Sequence, residues 1–334
     1  MRRPWLVLAL LPILSVACRA TSAPTPAPEP GQGVRIMPHT RASIDRPDLH
    51  GASGLTRDPE GYLWAVLERE HTLFQLSFGF GAEKLDVIGA PHPVQGAGEV
   101  DLEAVAWLDD GRLAFGTETK DADRTGDTVL FAERVEPSHP SSPGSARLRA
   151  PLANFVVKER LEVPYAPWGL TPERNRGIEG LCQAGGRLVV GIETVGEDAG
   201  RRFAPVATYN LLTKAFTHFR LWLTSETGKI SGLGCRATPG GTEVYAIERH
   251  YEVARVLTFT LPLAGAGGYV TPRVIVDLAT IFPDAIPNFE GIAVMKDGSL
   301  VLISDNDYGG VTGPTELLAI PPAGGPEGFR GLVQ

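Results

Sequence analysis

The feature that most limits what this chain can fold into is a hairpin unit repeated five times along it. The segments are ASGLTRDPEGYLWAVLERE (52–70), LEAVAWLDDGRLAFGTETK (102–120), IEGLCQAGGRLVVGIET (178–194), ISGLGCRATPGGTEVYAIERH (230–250) and FEGIAVMKDGSLVLISDND (289–307). Each carries a Glu or Ser, a small residue, an apolar run, a turn with glycine, a second apolar run and an acid. The glycines Gly61, Gly111, Gly186, Gly241 and Gly298 each stand seven residues before that acid, which is Glu68, Glu118, Glu193, Glu248 and Asp305 in turn. Two apolar runs of strand length around Asp-Gly, Glu-Gly or Gly-Gly predict a β-hairpin. Further β-rich pieces follow, such as TVLFAERV (128–135) and RVLTFTL (255–261), so each unit is expected to hold four antiparallel strands. Such units in tandem predict an all-β fold, a single β-propeller of five or six four-stranded blades over 34–334. The last unit has only TELLAI (315–320) after its hairpin, so the unpaired run VRIMPHTR (34–41) is expected to close the ring. The long step from Glu103 to Glu179 holds either a degenerate sixth blade or a loop. A β-sandwich is the alternative architecture, but sandwiches do not repeat one hairpin so faithfully.

The acids raise a charge problem. If the turns are two residues long, Glu103 falls opposite Glu118 and Glu290 opposite Asp305, with Glu179 and Glu193 displaced by one residue. Directly opposed residues have Cβ atoms about 4.5–5.5 Å apart, where like charges destabilise. In the other two units the first position is Ser53 or Ser231, and Glu68 and Glu248 are followed by Arg69 and Arg249, which relieve the repulsion locally. In a propeller all these positions face one mouth of the channel. The eight carboxylates Glu68, Glu103, Glu118, Glu179, Glu193, Glu248, Glu290 and Asp305 are expected to converge there.

Three readings of that convergence stand. The acids accept backbone N–H groups of neighbouring blades; or they bind a hard cation; or one of them, its pKa raised by a like-charged neighbour, acts as acid or base. The second and third are compatible. In that combination Glu103, Glu179 and Glu290 are the expected calcium ligands, and Glu118, Glu193 and Asp305 are second ligands or the catalytic base. Arg69 and Arg249 would steady a substrate oxyanion or pair with their neighbouring glutamates. His71 and His250 follow blade acids and either reach the same mouth or lie on the surface.

A formal charge of -8 with no long basic run argues against a nucleic-acid partner, and an anionic substrate would need a cation to mediate. The 43% apolar and 21% charged shares describe a globular chain. No nucleophile elbow is present, since Gly54 directly follows Ser53 in HGASGL, and neither H-E-x-x-H nor a phosphate-binding loop occurs. A small-molecule ester or phosphoester is the expected partner, and a monomer the expected state.

The N-terminus, MRRPWLVLALLPILSVAC, has a charged start at Arg2 and Arg3 and an apolar run too short to span comfortably as a membrane helix. Ser15-Val16-Ala17-Cys18 resembles a lipoprotein signal, although leucine sits at Leu14, one place further back than usual. Residues 1–18 therefore read as a leader with Cys18 lipidated, plain secretion being the alternative, and 19–33 as a Pro-rich tether. The lipid would be the chain's link to a membrane, on its periplasmic face. Export permits a disulfide between Cys182 and Cys235; two buried thiols are the alternative.

The ordered set SGL (53–55), DLEAV (101–105), GIEGL (177–181), ISGL (230–233) with AIER (246–249), and NFEGIAVMKDGSLVLISDND (288–307) resembles the phytase-like family, the "esterase-like activity of phytase" proteins. The resemblance runs from about Ser53 to Ile320, and its closing motif is the most specific part. Ala104 stands where the family usually has glycine, and Glu68 where aspartate is common. The resemblance implies a bacterial exported propeller that hydrolyses phosphate or carboxylic esters. It carries over no catalytic residues. A propeller lipoprotein that only binds a ligand or a protein at its mouth is the alternative, because fold does not imply function.

Overall fold

Among the described residues, short apolar runs set between turn residues form strands. The computed structural model describes residues 39–77, 86–121, 123–135, 154–306 and 313–322. These all belong to one compact unit, Ile36–Gln334. The expected leader, tether and Cys18 lie outside the described residues.

Strand β1 (Thr40–Ile44) precedes five strand groups, each opened by one of the hairpins. The first group is β2 (Ala52–Arg57), β3 (Leu63–Leu67), β4 (Thr72–Ser77) and β5 (Asp86–Gln95). The second is β6 (Asp101–Trp107), β7 (Leu113–Glu118), β8 (Gly126–Val135) and β9 (Asn154–Pro164). The third is β10 (Ile178–Ala184), β11 (Arg187–Ile192), the short β12 (Gly196–Asp198), β13 (Arg201–Asn210) and β14 (Phe216–Trp222). The fourth is β15 (Lys229–Thr238), β16 (Gly241–His250), β17 (Val253–Leu261), β18 (Gly268–Val270) and β19 (Arg273–Asp277), with β18 pairing back onto β14. The fifth is β20 (Asn288–Val294), β21 (Leu300–Asp305) and β22 (Thr315–Ile320). Strand β1 pairs with β22, from Thr40↔Ala319 to Ile44↔Thr315, and so supplies the strand that the fifth group lacks. The long interval after Glu103 holds β8 and β9, which pair antiparallel within the second group; the stretch between them lies outside the described residues.

The apolar faces of these groups are buried against one another. Trp64, Phe115 and Phe155 pack between the first and second, and Phe131, Ile178 and Tyr209 between the second and third. Val206, Ile230 and Phe259 fill the third interface, Ile247, Phe289 and Leu302 the fourth. Leu76, Ile303 and Leu317 join the fifth group to the first. This all-β arrangement of sheets packed face to face is of the β-propeller type that the repeat predicts. Cys182 on β10 and Cys235 on β15 are disulfide-bonded, with Cα atoms 5.7 Å apart, so the bridge links the first strands of adjacent groups.

The first strands approach one another closely, and that fixes the residue after each Glu or Ser. A Cβ on Gly232 would lie 2.2 Å from the Glu290 carbonyl oxygen, and one on Gly291 2.7 Å from the Leu55 nitrogen. In the second group the room comes from the partner strand instead. Ala104 pairs with Gly116, whose Cβ would lie 2.5 Å from the Ile178 carbonyl oxygen. The departure at Ala104 is thus matched within its own hairpin.

The register differs from the expected one for two reasons. Three hairpins close through three-residue loops, in which Gly61, Gly111 and Gly298 take φ of 108°, 85° and 85°. Then, in every hairpin, a β-bulge falls on the first position: Ser53, Glu103, Glu179, Ser231 or Glu290. Glu118 therefore pairs with Asp101, and Asp305 with Asn288, rather than with Glu103 and Glu290. Glu103 and Glu290 thus do not face the expected acids, although Glu118 still stands opposite an acid, Asp101.

Replacing Gly232 by alanine should destabilise the fold by about 1–3 kcal/mol, because its methyl meets backbone that cannot give way. Gly240→Ala, with open space around it, should stay within about 0.5 kcal/mol of the parent. Urea denaturation of both variants checks this.

Candidate active site

A bulge adds a residue to one strand and re-aims its side chain. The two serines use this locally: Ser53 Oγ donates to the Leu102 carbonyl at 2.6 Å and Ser231 Oγ to the Phe289 carbonyl at 3.1 Å, each stitching one first strand to the next. The three glutamates are turned into a common cavity instead. It measures about 330 Å³ and is lined by eight carboxylates: Glu68, Asp101, Glu103, Glu118, Glu179, Glu193, Glu290 and Asp305. Arg69, Lys120, Lys229 and Arg249 also line it, together with Asn175, His250 and Tyr251.

Seven of the eight expected acids meet there. Glu248 does not. It is fully buried and accepts hydrogen bonds from the backbone N–H of Thr224 and Ser225 and from the Ser225 hydroxyl. The reason lies in the length of the hairpin. The fourth hairpin turns on Pro239-Gly240, and Gly241 is already the first residue of β16, paired with Thr238. The strand before the turn runs nine residues from Ile230 to Thr238, against seven from Ile178 to Ala184 in the third hairpin, and its partner is longer to match, so a count of seven from Gly241 ends one position short of the mouth. A slip of one residue puts a side chain on the other face, so Arg249 occupies the place that an acid holds elsewhere. Arg249 pairs with Glu290 of the next group, not with its neighbour Glu248. Arg69 does pair with Glu68, at 3.4 Å. His250 lines the cavity, while the His71 ring is 2.6 Å from the Val100 carbonyl oxygen and outside the lining.

The position two residues before each bulge escaped the sequence reading. It carries Asp101, Lys229 and Asn288, all in the lining or bonded to it, and glycine at Gly51 and Gly177. Allowing for the bulge would have found them, because they are then the true partners of Glu118, Arg249 and Asp305. Asn288 Nδ2 donates to Glu290 Oε1 and to Asp305 Oδ2, both at 3.1 Å. Lys229 forms an ion pair with Glu193. The fourth group thus contributes a basic pair, Lys229 and Arg249, to a rim that Arg69 and Lys120 also line.

Two groups of carboxylates come together closely enough to share a cation: Glu68, Asp101 and Glu103, and Glu118, Glu179 and Glu193. Within each, one oxygen per residue lies within 4.8 Å of the others. Burial pushes Glu103 and Glu179 well above the usual carboxylate range, and their acidic neighbours, Glu179 for the one and Glu193 for the other, push them further. Glu118 is raised to about 8 by burial, then by Glu193 and Glu68. Glu290 is raised to about 7, burial outweighing the opposing effect of Arg249.

The phytase-like family model, described as esterase-like activity of phytase, matches residues 47–308. No curated protein matches the chain. Among solved structures it is similar to a PQQ-bound aldose sugar dehydrogenase from Streptomyces coelicolor, at 14% identity and a TM-score of 0.37 over 86% of this chain and 99% of that one. It is also similar to a putative gluconolactonase, at 16% identity and 0.36 over 82% and 77%, and to a thermostable family-43 glycoside hydrolase, at 9% and 0.45 over 81% and 88%. These likenesses are distant, and no functional reading rests on them.

The raised carboxylates set a pH dependence. In the unfolded chain they titrate near about 4.3. The folded state binds more protons above that value, so the stability they contribute is present below it and is lost as pH rises through about 7 to 8. With chelator present, the melting temperature should fall between about pH 5 and pH 8.5, and Glu179→Gln should flatten the fall. A melting temperature that rises over this range in the parent protein would contradict the assignment.

Proposed function

We propose a function from the premise that the chain belongs to the phytase-like family: it hydrolyses phosphate or carboxylic esters at the acidic mouth, with the help of a divalent cation. Carboxylate oxygens favour a hard ion, and calcium is the natural choice. We read the five strand groups as five propeller blades, with β1 closing the ring. Export by the leader, lipid attachment at Cys18 and action as a monomer complete the proposal.

One observation carries the reading. A single cavity gathers eight carboxylates against four Lys or Arg side chains. Such a surplus is costly unless protons or a cation neutralise it. When bound, the cation supplies the positive charge that lets an anionic ester approach and polarises its oxygen. The acids that would hold it are drawn from Glu68, Asp101 and Glu103 or from Glu118, Glu179 and Glu193. The expected ligand Glu290 lines the same cavity but belongs to neither close group, and it forms an ion pair with Arg249.

The chain's own residues then divide the work. Lys229 and Arg249 form the sector suited to orient negatively charged substrate oxygens. Glu290, raised to about 7, is suited to take or give a proton at a carboxylate oxygen near neutral pH. Asn288 holds Glu290 and Asp305 in a fixed relation through its amide.

The test is hydrolysis of an aryl phosphate and an aryl acetate by the full chain, with calcium and with chelator. Chelator should lower the rate at least tenfold and calcium should restore it. Glu290→Gln should lower kcat by about 100-fold, the usual scale for a general acid or base. Calcium at 100 times its Kd should stabilise the fold by about 2.7 kcal/mol. If neither ester is hydrolysed above background in either condition, the hydrolase reading fails and a ligand-binding module takes its place.

A further inference from the structure

We infer that the cation sits on Glu118, Glu179 and Glu193, between the second and third strand groups, and that Lys229 is a built-in competitor for the same seat. The inference rests on the proposed use of a cation and specifies its place. Glu118 ends β7, Glu179 is the bulged residue of β10, and Glu193 directly follows β11. Their oxygens lie within 4.8 Å of one another although the residues come from two different groups.

Closeness of acids alone would not mark a seat. What marks this one is unused bonding capacity in buried side chains. Glu193 is only 7% exposed, and its Oε2 is buried without a hydrogen-bond partner. Glu179 is 8% exposed, and no donor among the described residues reaches its carboxylate. Buried polar atoms are nearly always satisfied, so an orphaned oxygen on a carboxylate grouped with two others points to an absent positive partner. Glu103, in the other group, lacks a donor as well, but among the described acids only Glu193 has an oxygen buried without a partner. Glu68 has Arg69, and Glu290 has both Arg249 and Asn288.

Lys229 is the second half of the inference. Its ammonium is paired with Glu193 Oε1, so one of the three carboxylates already carries a monovalent cation. An ammonium is a compact point charge on a flexible stem, able to leave when a stronger cation arrives. A divalent ion facing all three acids must share Glu193 with Lys229 or displace it. Once displaced, the ammonium is left beside the ion without its partner, where an anionic oxygen satisfies it. The arrangement therefore favours a phosphate ester over a neutral carboxylic ester.

Calorimetric titration of the full chain with calcium chloride tests this, with melting in chelator confirming that each variant is folded. One calcium per chain is expected in this seat. Glu179→Gln and Glu193→Gln should each weaken binding at least tenfold, and Asp101→Asn should change it less than threefold. Lys229→Met, and Lys229→Gln as a polar control, should tighten binding at least threefold. The inference is overturned if Glu193→Gln binds calcium as the parent does, if Asp101→Asn abolishes binding, or if neither Lys229 variant tightens it. Calcium-dependent hydrolysis that survives Glu193→Gln with unchanged affinity would sink this seat and leave the hydrolase reading standing. Calcium bound here without any hydrolysis would do the reverse.

Discussion

The close approach of the first strands of neighbouring groups is the constraint on which the rest of the molecule depends. Where Gly232 and Gly291 meet the backbone of the adjacent strand there is no space for a Cβ, so the strands must register at those glycines. The residue just before each contact is displaced into a bulge. A bulged residue cannot face its cross-strand partner, and it is re-aimed. Serine at that place binds the neighbouring strand; glutamate at that place faces the cavity. The same packing rule that joins the sheets thus also decides which side chains reach the mouth.

That rule has an electrostatic consequence. Three glutamates directed inward would be expensive beside the acids already at the strand ends. The chain meets the cost in three ways. Lys229 and Arg249 bring positive charge from the fourth group to Glu193 and Glu290, on the groups either side of it. Asn288 places an amide between Glu290 and Asp305. Glu103 and Glu179 receive neither, and burial with their acidic neighbours raises them far above the usual carboxylate range. Acids whose hold on a proton is strengthened for want of a counter-ion can exchange that proton for a metal.

How much of this could be read in advance follows from what is local and what is not. The hairpins and the groups that follow them were legible, because apolar runs and turn glycines are local signals; the strand expected at 34–41 lies instead at Thr40–Ile44, where it pairs with β22. The register was not legible. Nothing in Asp297-Gly298 distinguishes a two-residue turn from a three-residue loop with glycine in the left-handed region, and the difference moves every pair by one. The bulge leaves no residue type of its own beyond Glu or Ser before a small residue. The fourth hairpin is longer than the others, which no local signal announces, and a fixed count of seven from Gly241 put Glu248 in the mouth where Arg249 belongs. The pairs Arg249–Glu290 and Lys229–Glu193 join different groups, 41 and 36 residues apart, and only the fold brings them together.

The central claim is that bulged and strand-end acids from neighbouring groups form one built seat for a divalent ion. Anomalous diffraction from crystals grown with a lanthanide in place of calcium tests it most directly. The account predicts one strong peak enclosed by Glu118, Glu179 and Glu193, with the Lys229 ammonium moved off Glu193. A peak at Glu68, Asp101 and Glu103 instead, or none with Lys229 still on Glu193, would contradict it.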